Sequence, residues 1–178
     1  MEQSLWGKAW FGLLHRMKSQ GVSEMTIENW KYDDFVKANG GKFSALDFIH
    51  AVSAKVALPW DFALCMGHLF APQMLMFDGV VVIVEWFDGE RYQEYRNNGM
   101  HPEQAQAWTN MVELTDIFQG ISFGKAKELA VFIAALWSER ISQIFPDEAT
   151  RASVISDEGL NEVFITIGRF SDTPLTSG

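Results

Sequence analysis

Residues 78–99 read DGVVVIVEWFDGERYQEYRNNG, and the fold turns on where the uninterrupted apolar run at their start is placed. VVVIVEWF, residues 80–87, is β-branched and aromatic and too apolar to alternate, which predicts a strand buried on both faces. Asp78-Gly79 ahead of it is turn chemistry. Asp88 behind it suits the N-cap of a short helix, GERYQEYRNN, that Gly99 closes. One stretch thus holds a turn, a core strand and a charged helix, with the carboxylate of Glu85 at the strand's end.

Upstream, Leu5, Trp6, Ala9, Trp10, Leu13, Leu14 and Met17 recur at helical spacing, with Gly21 as the end signal. A helix from about Asp33 stops at Asn39-Gly40-Gly41. Ser44 and Asp47 form a near capping box for the helix of SALDFIHAVSAKVAL, striped by Phe48, Ile49, Val52 and Val56. Pro59 and Asp61 suit the start of another, PWDFALCMGHLF, which Ala71-Pro72 ends. Downstream, Ala105, Trp108, Met111, Val112, Thr115 and Phe118 share one face of a helix opened by Pro102 and stopped at Gly120. The stretch from Ser122 to Pro146 reads as the longest, central helix. LNEVFITIGRF, residues 160–170, reads as a second strand in which Val163, Ile165 and Ile167 alternate with Phe164 and Thr166. The expected class is α+β: a mostly α-helical single domain with a small two- or three-stranded antiparallel sheet, built from residues 80–87 and 160–170. It spans residues 1–170, with a disordered tail over 171–178.

A chain of 178 residues, 48% hydrophobic, is long enough to bury a core. Its formal charge of −9, from 23 acids and 14 bases, repels nucleic-acid phosphates and anionic membranes and attracts basic partners. The lone cysteine, Cys65, leaves no internal disulfide, which fits a reducing cytosol. The N-terminal sequence lacks a signal-peptide pattern, because Glu2 precedes any base and Lys8 interrupts the apolar run. His68, Pro72, Gln73 and Asp78 break up the most apolar region, so it does not cross a membrane as one helix. A cytoplasmic protein that binds neither nucleic acid nor membrane is expected.

The motifs GxSxG, HExxH, paired CxxC and GxGxxG are absent. ANGGKFS holds a Gly-Gly-Lys, but Val36 stands where a phosphate loop needs its first glycine, and it reads as a helix-ending turn. Asp47/His50 and Cys65/His68 each stand three apart on a helix. A zinc or di-iron set would need further ligands from distant segments, so no metal and no cofactor are expected. Glu85 and Asp88 are the carboxylate pair best placed for acid–base work, and burial in the strand would raise the Glu85 pKa. The competing structural reading makes Asp88 a cap and pairs Glu85 with Arg91, Arg96 or Arg169. No catalytic residue is assigned.

Charge placement says more. Between Asp78 and Gln119 eight acids stand against two arginines, leaving −6 of the total −9. A second stretch, from Asp147 to Glu162, sets five acids against Arg151. Carboxylates interleaved with Trp86, Tyr92, Tyr95 and Trp108 suit a basic protein surface, since charge steers the encounter and rings anchor it. The alternative is a solvated acidic face with the rings turned inward. The expected partner-binding set is Glu85, Trp86, Asp88, Glu90, Tyr92, Glu94 and Tyr95.

Residues 70–99, with FAP ahead of the apolar run, then DGVVVIVEWFD and RYQEYRNNG, resemble a pattern in small acidic bacterial cytosolic proteins. Some of these are immunity proteins of interbacterial toxin systems. The resemblance implies an inhibitor that occludes a basic toxin domain, and it transfers no catalytic residue. Two other readings stand beside it. One is a small hydrolase-like enzyme or ligand-binding domain, with Glu85, Asp88 and His68 or His50 in a pocket between sheet and central helix. The other is a helical subunit of a homo-oligomer.

Overall fold

The computed structural model describes residues 30–170; the expected first helix and C-terminal tail lie outside them. The chain divides into two compact units, Met1–Pro59 and Trp60–Gly178.

In the first unit, α1 (Tyr32–Ala38) and α2 (Ala45–Ser53) stand where the sequence predicts helices. Gly40 and Gly41 carry the chain out of α1 with φ of 63° and 80°, which L side chains rarely adopt. The Ser44 hydroxyl accepts the Asp47 amide and the Asp47 carboxylate accepts the Ser44 amide, a complete capping box. Those bonds from Ser44 hold the Asp47 carboxyl below its usual range. Phe35 is buried, with the rings of Trp30, Phe43 and Phe48 within 5.4 Å of its own.

The second unit runs α3 (Trp60–Phe70), β1 (Met74–Phe77), β2 (Val80–Ile83), a 3-10 turn (Val84–Trp86) and α4 (Gly89–Asn97). It continues through α5 (Pro102–Thr109), β3 (Val112–Glu113), α6 (Leu114–Ile117), α7 (Phe123–Ile144), β4 (Ala152–Asp157) and β5 (Glu162–Ile167). The class is α+β, with helices predominant and two small antiparallel sheets, β1–β2 and β3–β5–β4.

Phe77 pairs with Val80, so Asp78-Gly79 is the two-residue loop of a hairpin. Both loop residues have positive φ, 49° and 76°, the geometry for which Asp-Gly is suited. All four β2 side chains are buried. Val81 and Ile83 join the core under α7, while Val80 and Val82 pack with Tyr92 and Ala105. Burial on both faces therefore holds for these four residues.

Three expectations need correction. The strand stops at Ile83 rather than at residue 87, because β1 begins at Met74, opposite Ile83, and offers no further ladder. The Val84 amide makes the last backbone bond, to the Gln73 carbonyl, and the chain then curls into the 3-10 turn. Next, the two expected strands lie in different sheets, and their neighbours β1, β3 and β4 are strands the sequence reading lacks. Finally, the expected helix from Pro102 toward Gly120 is interrupted. It breaks at Asn110, whose buried side chain accepts the Ile83 amide at 3.0 Å and donates to the Val81 carbonyl at 2.9 Å. The same Nδ2 lies 3.5 Å from the Ile167 carbonyl, so Asn110 stands in for a strand residue between β2 and β5. Gln106, one turn earlier, adds a 2.8 Å bond to the Val81 carbonyl. A buried strand edge needs such partners, and Asn110 supplies them from outside a regular helix.

The same seam brings α5 close to the end of β5. The Thr166 hydroxyl donates to the Ala107 carbonyl at 2.6 Å, and the Arg169 amide to the Glu103 carbonyl at 3.1 Å. A Cβ on Gly168, where φ is 117°, would lie 2.6 Å from the Glu103 oxygen and 2.7 Å from the Ala107 nitrogen. On the other side of the core, α7 is the central helix as expected. Its Ala126, Ala130, Ile133, Trp137 and Ile141 are fully buried with Val163, Ile165 and Ile167. Trp137 Nε1 donates to the Leu69 carbonyl at 2.8 Å, satisfying an acceptor that the last turn of α3 leaves open, and Arg140 Nε donates to the carbonyl of Pro72, just past that helix, at 2.6 Å. Among the described residues no helix is long and apolar enough to cross a membrane.

Candidate functional site

The helix that carries most of the expected partner-binding set is well fixed at both ends. Asp88 Oδ1 accepts the amides of Glu90 and Arg91 at 3.0 and 3.1 Å, the N-cap the sequence predicts. At the other end Gly99, with φ 86°, bonds to the Arg96 carbonyl and Met100 to that of Tyr95, a Schellman pair. Tyr92, between them, points into the core and offers no face to a partner. Its hydroxyl donates to Asp78 Oδ2 at 3.0 Å, and Arg96 Nε meets the same oxygen at 3.0 Å. Burial, followed by the bond to Asp78 and its charge, pushes the Tyr92 phenol up to about 12 against the opposing pull of Arg96. Glu90 and Glu94 are exposed one turn apart. Tyr95 is half-buried; its hydroxyl accepts Arg91 Nε at 2.8 Å, and the guanidinium carbon stands 5.7 Å from the ring centre.

Glu85 is set differently from the rest. Its side chain is 20% exposed, with Oε1 3.1 Å from His68 Nδ1 and accepting the Gln73 amide at 2.8 Å. Burial pushes this carboxyl up, but the Gln73 amide and the His68 ring together outweigh it and hold the carboxyl below its ordinary value. The expected rise is thus reversed, because the carboxylate accepts a backbone N–H at the strand end. The arginines considered as its partners are elsewhere: Arg96 on Asp78, Arg169 3.7 Å from Glu103, and Arg91 on Tyr95. Asp88 is committed to its cap, and His50 belongs to the first unit. Between α7 and the strands, the fully buried Ile133, Trp137 and Ile141 fill the core. Cys65 is exposed and unpaired by any disulfide. Among the described residues no group of three His, Cys, Asp or Glu side chains is gathered to hold a metal.

Trp86 and Asp88 do come together, in a groove of about 340 Å³ that Trp108, Glu113, Asp116 and Ile117 also line. Trp86 packs 5.9 Å from the Trp137 ring, and its buried Nε1–H has no partner among the described residues. Trp108 is 42% exposed, its ring set edge-on to Phe170 at 5.1 Å. Glu113 accepts the Thr115 hydroxyl at 2.9 Å. Asp88, Glu113 and Asp116 enter none of the ion pairs among the described residues, although Arg91 borders the same groove. A larger hollow of about 480 Å³ holds Asp78, His101, Glu103 and Arg169, but there the acids are matched, Asp78 by Arg96 and Glu103 by Arg169.

Trp108, Glu113, Asp116 and Ile117 are among the lining residues missing from the sequence-derived set. All four stand in the acidic stretch, residues 78–119, that the charge count marks. A single helix over residues 102–118 sets Trp108 on one face with Met111 and Val112 and leaves no groove, although the charge pattern already counts Trp108 among the rings of a partner surface. No family model matches the chain, and no curated protein or solved structure matches it.

Proposed function

We propose that this chain is an acidic binding protein that captures a basic protein and silences it by covering its working surface. The partner class is a toxin domain, following the resemblance of residues 70–99 to immunity proteins. One observation carries the reading: Asp88, Glu90, Glu94 and Asp116 are exposed and make no ion pair among the described residues, and Asp88 and Asp116 line one groove with an exposed indole, Trp108. Such a field draws in a cationic surface, and the aromatic ring supplies desolvated contact area once it arrives. Function here is binding, with no covalent step.

The test is to co-express the chain with the products of neighbouring genes, then assay co-purification and rescue of cells poisoned by any that are toxic. A stable complex together with rescue supports the reading. Absence of both, for every neighbouring product, removes it.

A further inference from the structure

We propose that the groove bordered by Trp86 and Trp108 receives one arginine side chain of the basic partner. This rests on the binding reading above and assigns it a central contact. The lining has the chemistry a guanidinium needs. Two indoles border the space, and the faces of tryptophan are the strongest side-chain partners for a cation. Ile117 supplies apolar surface for the methylene stem. Asp88, Glu113 and Asp116 supply carboxylates that no lysine or arginine neutralises among the described residues. The bonds these acids do make leave lone pairs open: Asp88 Oδ1 holds two amides of α4, and Glu113 Oε1 accepts one hydroxyl.

Size and charge narrow the occupant. About 340 Å³ is at the small end of ligand sites, room for one long side chain rather than a folded segment. The negative lining rejects phosphates and carboxylates. A bare metal ion would leave the indoles and Ile117 without a role. A planar guanidinium stacks on an indole while its edge reaches several carboxylate oxygens, a combination that a compact ammonium cannot match. The resident base, Arg91, is held on Tyr95 instead, by the 2.8 Å bond to its hydroxyl and the 5.7 Å approach to its ring. It borders the groove as a like charge to the incoming arginine.

The experiment is a calorimetric titration of the full chain, at low salt, with a Gly-Ser peptide carrying two arginines. The same peptide with lysine, and with citrulline as the neutral isostere, serves for comparison. The arginine peptide should bind, and citrulline should bind about tenfold more weakly. Trp108→Ala and Asp116→Asn should each weaken arginine binding by roughly threefold or more. Arg91→Gln should tighten it by about threefold, an increase that loss of structure would not produce. Glu158→Gln, an exposed acid on the β4–β5 turn, should change little. Thermal melts establish that each variant is folded, and the conservative Asp116→Asn keeps the test valid if Trp108→Ala is not.

Equal weakening by Asp116→Asn and Glu158→Gln would mean diffuse attraction, which overturns the groove while leaving a basic partner intact. Lysine binding as tightly as arginine overturns the guanidinium assignment. Absence of binding by every cationic peptide, even at low salt, overturns both the groove and the reading beneath it.

Discussion

Asn110 is one side chain with three backbone neighbours on two strands that belong to separate sheets. Asn110→Ala would leave the buried Ile83 amide without an acceptor and should cost roughly 3 kcal/mol, read as a lower midpoint in urea unfolding. A loss below about 1 kcal/mol would mean that water enters and replaces the amide. Tyr92 makes a second prediction at this scale. Its folded pKa of about 12 lies above the ordinary 10.0, so the folded state holds the phenol proton more tightly than the unfolded chain does. The stabilisation is complete below pH 10 and is lost as pH rises through 12. An absorbance titration should show one of the three tyrosines ionising near 12, and Tyr92→Phe should delete that step.

Individual elements were legible where local chemistry and burial agree. The Ser44 box, the Asp88 cap, the Gly99 stop and the length and apolar character of α7 are all written into the local sequence and all stand in the structure. Legibility fails where a distant partner decides. MLMF carries no β-branched residue, and it becomes β1 only because the Asp78-Gly79 loop folds it onto β2. β4, ASVISD, is half polar and forms against β5. The periodicity of residues 102–118 is genuine, yet the needs of the β2 edge outweigh it at Asn110. The groove shared the same fate, since Trp86, Trp108 and Asp116 meet only after that helix has broken. At this scale Asp88→Ala should destabilise by about 1 kcal/mol, because two α4 amides lose their acceptor. A thermal melt checks it, and Asp88→Asn, which keeps an accepting oxygen, should recover most of the loss.

At the scale of the molecule, charge governs how partners arrive and local chemistry governs how long they stay. With −9 overall, association with a basic protein should slow by about tenfold between 50 mM and 0.5 M salt, as screening shortens the reach of the field. Dissociation should change far less, because the rings and any desolvated pairs are not screened, and stopped-flow measurement at several ionic strengths separates the two. A dissociation rate that rises as steeply as association falls would remove the aromatic anchor from this account. The close approach of α5 to Gly168 bears on descent. Any side chain there would collide with two main-chain atoms, the Glu103 oxygen and the Ala107 nitrogen. In diverging lineages Gly168 and its companion Asn110 should therefore stay fixed while the exposed acids of α4 are free to vary.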